Sequence, residues 1–183
     1  VRLFFSRRIP DFERAVLVES GSRYLLEALL PGIYHHHPQL ERVDVITCFP
    51  GAPSTFDHDR GEIIRVHQFH GRSGRARLYA HLTTVDYNIC GVICSGEAVM
   101  TKWKWAIAAR VPAKVFVLNE NGDYFYVDHS QLSVIRKFIL FRAGLSGANA
   151  VSTVGRLALF PFTLAYLLAF AGWVHLRRKV RML

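Results

Sequence analysis

The chain has no Asp or Glu after Asp128, the last of its fourteen acids. Eight basic residues lie between Leu132 and Leu183, so this stretch holds +8 of the formal +9. Fifteen basic residues against fourteen acids leave the first 131 residues near neutrality. A nucleic-acid binder usually carries its basic charge on the folded body. Here the excess sits beside the most apolar segment, as expected for contact with anionic lipid head groups. Membrane lipids are therefore the expected partner, and nucleic acid is not.

Other features are equally scarce. Three cysteines, Cys48, Cys90 and Cys94, give no even disulfide framework. All three fall in apolar runs and read as small buried hydrophobes. On one strand Cys90 and Cys94 stand about 13 Å apart, too far for a shared metal ion or a disulfide. The chain contains no GxGxxG, P-loop, GxSxG, HExxH or paired CxxC. No cofactor and no metal site is expected. His35-His36-His37 reads as a solvated helix end, because adjacent histidines point in different directions. Val1–Pro10 is too short for a secretory signal and is followed at once by Asp11 and Glu13. The expectation is a body on the cytoplasmic side. Residues 1–13 form a basic arm, whose Arg2, Phe4, Phe5, Arg7 and Arg8 suit either a second membrane contact or a frayed terminus.

What is present alternates strand and helix. RAVLVE (14–19) is a β-rich run broken by Ser20-Gly21-Ser22. A helical pattern covers residues 24–30 and is interrupted by Pro31-Gly32. VDVITCF (43–49), EIIRVHQF (62–69), YNICGVIC (87–94) and AKVFVL (113–118) read as further strands, with helices over 73–84 and 97–110. Asn119-Glu120-Asn121-Gly122 is a turn, and residues 124–127 are extended. Alternating strands and helices predict an α/β, Rossmann-like fold. Its expected core is a mostly parallel five-stranded sheet with helices on both faces. Lys102-Trp103-Lys104-Trp105 invites a stacking role, but helical spacing turns the tryptophans to different sides. One buried and one partly exposed tryptophan is the plain expectation.

The C-terminal third reads differently. Residues 157–176 contain twenty positions without a charge, about 30 Å as a helix, the thickness of a bilayer core. Arg156 precedes this run, and Arg177, Arg178 and Lys179 follow it, with Trp173 at interfacial depth. Upstream, LSVIRKFILFRAGL (132–145) mixes large apolar residues with Arg136, Lys137 and Arg142, the composition of a helix lying in the interface. Basic flanks at both ends suit either a single span or a helix that never crosses. The expected organisation is thus a basic arm (1–13), an α/β domain (14–130), an amphipathic interfacial helix with a hinge (131–150), and a membrane helix with a basic tail (151–183).

In an open parallel sheet, ligands bind beyond the carboxyl ends of the strands where strand order reverses. With a 3-2-1-4-5 order, that point lies between the first and fourth strands. The loops there supply Ser20, Gly21, Ser22 and Arg23 on one side and Ser95 and Gly96 on the other. Asn119 and Asn121 lie adjacent. These residues are the expected ligand-binding set, with Gly21 and Gly96 allowing close approach to helix amides. Glu19, Glu97 and Glu120 are the candidate general bases, provided burial raises a pKa. The same Ser and Gly residues also serve as ordinary caps and turns.

The run AVLVESGSRYLLEALLPGIYHHHPQLERVDVITC resembles the opening of lipopolysaccharide heptosyltransferases and related GT-B glycosyltransferases. There a strand, a small polar loop, a helix and a P-x-x-x-[IV]-D-x-[IV] strand follow in this order, and Pro38 through Val45 corresponds to the last of these. YNICGVICSGEAVMTKWKWAIAARVPAKVFVLNENG resembles that family's later strand, polar loop, helix and strand, with Asn88 in place of the usual Asp. The resemblance covers residues 14–130, the acceptor-binding half. It implies a half GT-B domain without the second Rossmann-like half that binds the nucleotide sugar. The family's early catalytic Asp would fall just after Arg23, where Tyr24 and Leu25 stand. The expectation is therefore a membrane-associated, glycosyltransferase-like half domain, incomplete alone. It would act with a donor-half partner on a lipid-linked or cell-envelope glycan. The alternative is a non-catalytic accessory or scaffold subunit of a larger membrane complex that reuses the fold.

Overall fold

The computed structural model describes residues 10–145 and 149–181. The chain divides into two compact units, Val1–Leu132 and Ser133–Leu183. Most of the N-terminal arm, and with it Arg2, Phe4, Phe5, Arg7 and Arg8, lies outside the described residues.

The first unit is α/β. Its elements are β1 (Arg14–Glu19), α1 (Arg23–His36), β2 (Arg42–Thr47), β3 (Ile63–Arg65), α2 (Gly71–Thr84), β4 (Ile89–Cys94), α3 (Thr101–Arg110), β5 (Lys114–Asn119) and β6 (Tyr124–Tyr126). They form one six-stranded sheet in the order β3-β2-β1-β4-β5-β6. Every pairing is parallel except that of β5 with β6. The expected sheet gains one edge strand: the Asn119–Asp123 turn folds residues 124–126 back as a hairpin.

Strand side chains alternate between faces. Ala15, Leu17, Val43, Val45, Ile89, Ile93, Phe116 and Leu118 pack with Leu25, Leu26, Leu30 and Ile33 of α1 into one core. The intervening residues, among them Val16, Val18, Cys90, Val92, Val115 and Val117, are buried as well. They face the side of α2 and α3, where Leu78, Leu82, Ile107 and Ala108 are also buried. Burial on both faces explains why β4 (ICGVIC) is apolar without alternation. Gly91 lets Phe116 lie across the strand: a Cβ there would stand 2.6 Å from the Phe116 ring.

Several boundaries differ from expectation for identifiable reasons. Helix α1 does not break at Pro31 but runs through it to His36. Proline removes the amide that would bond the carbonyl of Glu27, and the Thr55 hydroxyl donates to that carbonyl instead, at 3.0 Å. Strand β2 ends at Thr47 because its hydroxyl accepts the Phe49 amide (2.9 Å) and turns the chain. Strand β3 stops at Arg65 and passes into a 3-10 turn, Val66–Gln68. Helix α3 begins four residues late, after Met100 in the left-handed region at φ 48°.

The buried polar groups stitch the sheet. Asp44, fully buried in β2, accepts from Arg42 Nε and the Glu62 amide, each at 2.8 Å, and from the Tyr87 hydroxyl. Burial and the Asp44 carboxylate together push the Tyr87 hydroxyl pKa far up. At the other edge, buried Lys114 lies 3.6 Å from Asp128, which is capped by the Ser130 hydroxyl and the Gln131 amide (3.0 Å). These hydrogen bonds hold Asp128 below the usual carboxylate range.

The second unit contains most of α4 (Leu132–Arg142) and α5 (Asn149–Arg181). None of the residues of α4 is buried. Within α5, Val154–His175 is 22 residues long and apolar enough to cross a membrane, and none of its described side chains is buried.

Candidate functional site

The strand order reverses between β1 and β4, as the sequence led us to expect. The loops that leave their carboxyl ends meet there. Glu19, the last residue of β1, is fully buried. Its carboxylate holds Arg23 in a two-point ion pair, Nε at 2.8 Å and Nη2 at 3.3 Å. The third nitrogen of Arg23 donates to the Pro50 carbonyl (2.8 Å), and the guanidinium lies 5.4 Å over the Phe49 ring. The Glu19 hydrogen bond raises the Arg23 pKa further above its ordinary value. Arg23 thus straps the loop after β1 to the loop after β2. A residue expected to bind ligand is occupied in holding the site together.

The next three residues tie β1 to β4. The Ser20 hydroxyl donates to the Ile93 carbonyl. Gly21 lies directly against Ser95, leaving no room for a side chain. The Ser22 hydroxyl donates to the Glu97 carboxylate. Ser22 therefore stands at the N-cap of α1 without capping it. The Ser95 hydroxyl oxygen is buried and has no hydrogen-bond partner among the described residues. Gly96 and Glu97 are exposed beside it.

The third expected loop is self-contained. Asn119 Oδ1 accepts from the amides of Asn121 and Asp123, both at 2.9 Å, and its amide nitrogen donates to Asp123 (3.3 Å). Asn119 shapes the hairpin turn. Asn121 is exposed at its tip, and Glu120 is half-buried.

The structure therefore brings Glu19, Ser20, Gly21, Ser22, Arg23, Ser95, Gly96 and Glu97 into one cluster. Asn119, Glu120 and Asn121 belong to the hairpin beyond β5. Of the three carboxylates proposed as bases, Glu19 is paired with Arg23, and Glu97 accepts a hydrogen bond from the Ser22 hydroxyl. Cys48, beside this cluster, is exposed and not buried as expected, whereas Cys90 and Cys94 are buried; its thiol pKa is raised, by desolvation first and by Glu19 after it, so it is poorly suited to act as a thiolate. The sequence reading missed Phe49 and Pro50, which Arg23 engages. The signal was the P-G pair directly after an apolar strand.

His35, His36 and His37 end α1, and His37 stacks on Phe12 at 4.3 Å between ring centroids. No group of three or more His, Cys, Asp or Glu placed to hold a metal occurs among the described residues. Arg136, Lys137 and Arg142 are exposed on α4, with Arg142 5.5 Å over the Phe138 ring. On α5, Arg156, Trp173 and Arg177 are exposed, and Arg177 lies 5.3 Å over Trp173. Arg178 and Lys179 belong to the last turns of the same helix, with side chains outside the described set. Comparisons with known protein families, with curated proteins and with solved structures find no match to this chain.

Proposed function

We propose that the chain is a membrane-attached, Rossmann-like half domain. Its switch-point cluster binds a hydroxyl-rich ligand that a partner protein then acts upon. The observation that carries this reading is the Ser22–Glu97 link at the mouth of the β1–β4 crevice. A carboxylate and a hydroxyl, flanked by Gly96 and the first turn of α1, suit sugar hydroxyls, which both donate and accept. Two carboxylates in so small a cluster disfavour a phosphate there. The exposed 22-residue apolar run on the same chain supports a lipid-linked or cell-envelope glycan as substrate class. The resemblance to the acceptor half of GT-B glycosyltransferases supports the same class. On this reading the body lies on the cytoplasmic side, and a donor-half protein supplies the nucleotide sugar.

A second reading has its own support. Glu19 is buried in a two-point ion pair and cannot take a proton from substrate without breaking it. This favours a non-catalytic subunit, in which the cluster is a structural clasp. The full chain, purified in neutral detergent with whatever partner it retains, separates the two. Glu97→Gln keeps the shape of the loop and removes the charge. Loss of glycan product with the partner still bound supports the first reading. Unchanged product with unchanged assembly overturns it in favour of the second.

A further inference from the structure

Helices α2 and α3 pack side by side. Together they carry Arg72, Arg75, Arg77, Lys102, Lys104 and Arg110, and no acid. Between their first turns and the 3-10 turn after β3 lies an open cavity of about 480 Å³, within the usual size range of small-ligand sites. Lys102 and Arg75 line it from opposite helices, with His67, His70, Trp103 and Tyr79 around them. No carboxylate lines it. Neither Lys102 nor Arg75 forms an ion pair among the described residues. The Arg75 Nε donates to the Gly71 carbonyl (3.2 Å), which leaves its two terminal nitrogens to point elsewhere.

The backbone adds to this charge. Helix α2 begins at Gly71 without a side-chain cap and without an acid in its first turn, so its leading amides and the positive end of its dipole are uncompensated. Nothing lies within 4 Å of where a Gly71 side chain would be, and Gly74 lies tight on the Phe69 backbone, where an added Cβ would stand 2.5 Å from the Phe69 carbonyl carbon. The first turn is thus held firmly and left open. Lys102 and Arg75 thus face the cavity with no carboxylate in its lining.

The rings narrow the class of ligand. Arg110 lies 4.2 Å over the Tyr79 ring and occupies one face of it. Trp103, half-buried in the cavity wall, is the larger platform. Cations for a phosphate beside an indole for a flat ring are the elements of nucleotide recognition. We propose that this cavity binds a nucleoside diphosphate, with the phosphates against Lys102, Arg75 and the first turn of α2 and the base against Trp103. The site lies on the opposite side of the sheet from α1, and it stands independently of the glycan reading above.

The test is a calorimetric titration of the full chain in neutral detergent. The probes are UDP, inorganic pyrophosphate and the soluble lipid dihexanoyl phosphatidylglycerol. We expect saturable UDP binding that weakens about a hundredfold in the double variant Lys102→Glu/Arg75→Glu, both positions being exposed. Trp103→Ala should weaken UDP about tenfold and leave pyrophosphate unchanged. Trp103→Phe, which keeps the packing, should show a smaller loss in the same direction. Failure of UDP to saturate by about 1 mM would overturn the proposal, as would binding indifferent to the charge reversals. Pyrophosphate or the lipid binding as tightly as UDP, with Trp103 without effect, would also overturn it and leave a plain anion or head-group site. Retention of UDP binding in Glu97→Gln separates this site from the switch-point cluster.

Discussion

Replacing Asp44 by Ala should be the most damaging single change to the α/β unit that touches neither candidate site. The carboxylate is fully buried and gathers three donors: Arg42 Nε, the Glu62 amide and the Tyr87 hydroxyl. Removing one partner of a buried charge pair costs about 3–5 kcal/mol where the other charge is left stranded. Arg42 is not stranded fully: its side chain is 37% exposed and keeps Glu62 at 3.3 Å. That discounts the charge contribution to the low end. The Tyr87 hydroxyl, in a residue only 1% exposed, has no such escape, and an orphaned buried hydroxyl costs about 1–3 kcal/mol. Together we expect a loss of about 3 kcal/mol, a melting shift on the order of 10 °C for a unit of this size. Tyr87→Phe alone should cost about 1 kcal/mol. The double variant should be less damaging than the sum, by about 1–2 kcal/mol, because no hydroxyl is then left unpaired. The assay is unfolding of the full chain in detergent, followed by Trp103 and Trp105 fluorescence in a Trp173→Phe background. A loss below about 0.5 kcal/mol for Asp44→Ala, or strict additivity in the double variant, would refute the reasoning.

Three further outcomes follow from the same geometry. Gly61→Ala should cost more than about 2 kcal/mol in the same assay, since its Cβ would stand 2.6 Å from the Val43 carbonyl carbon, where β2 meets the chain entering β3; Gly32→Ala, with open space on α1, should gain about 0.5–1 kcal/mol. Alkaline pH should destabilise the unit through Cys90 and Tyr87. Burial pushes the Cys90 thiol up to about 12, and Tyr87 is raised as well. Both groups therefore hold their protons more tightly folded than unfolded. Stability is unaffected below the unfolded values and falls above about pH 8.5 for the thiol and about pH 10 for the phenol, by about 1.4 kcal/mol per pH unit for each group. Melting curves between these limits should flatten in Cys90→Ala, and an unchanged slope would contradict the assignment. In α5, Leu164→Arg/Leu168→Arg places two charges near the middle of the apolar run, at about 3 kcal/mol each on insertion scales. The variant should leave membranes on carbonate extraction, and full retention would argue against a span.

The strand order and the switch point were legible because β1, β2, β4 and β5 are apolar runs separated by helix-length segments, and right-handed crossovers leave few arrangements. Two of the boundaries that were misread go with a contact distant in sequence. Helix α1 passes Pro31 only because Thr55, outside the helix, satisfies the freed carbonyl. Helix α3 starts late, after Met100 in the left-handed region, and Glu97 upstream of it is held by Ser22, 75 residues away. The cluster at the switch point was found by topology alone, but its internal pairing was not. Nothing local distinguishes a glutamate that waits for substrate from one already held by arginine four residues later. Lys104 was hidden for a similar reason. Helical spacing drew attention to Trp103 and Trp105, yet the lysine between them is the buried residue, while Trp105 is 40% exposed.

Net charge along the chain failed to reveal the basic cavity for a topological reason. The acids of the first unit alternate with its bases in sequence: Glu62 and Asp86 flank α2, and Glu97 and Glu120 flank α3. Summed over 131 residues they nearly cancel. Crossover direction then sorts them by face. The connection through α1 runs one way along the sheet and those through α2 and α3 run the other way, so right-handedness sends α1 to one side and the two basic helices to the opposite side. Glu27, Asp57 and Asp59 stay with α1 and the loop that packs on it, where the Glu27 carboxylate accepts the Ser54 amide at 2.7 Å and the Tyr34 hydroxyl accepts the Asp57 amide. A body with near-zero net charge can therefore present a concentrated positive face. The condition is only that its acids lie off the two helices of that face. On this view the charge on the two helices and the charge beside the apolar run are separate features. The first is fixed by the handedness of the sheet and suits a discrete anion; the second is fixed by the sequence flanking α5 and suits a lipid surface. Reversing Lys102 and Arg75 should leave membrane attachment intact, and deleting Arg177, Arg178 and Lys179 should leave nucleotide binding intact. If either change altered the other property, the two positive regions would have to be treated as a single surface.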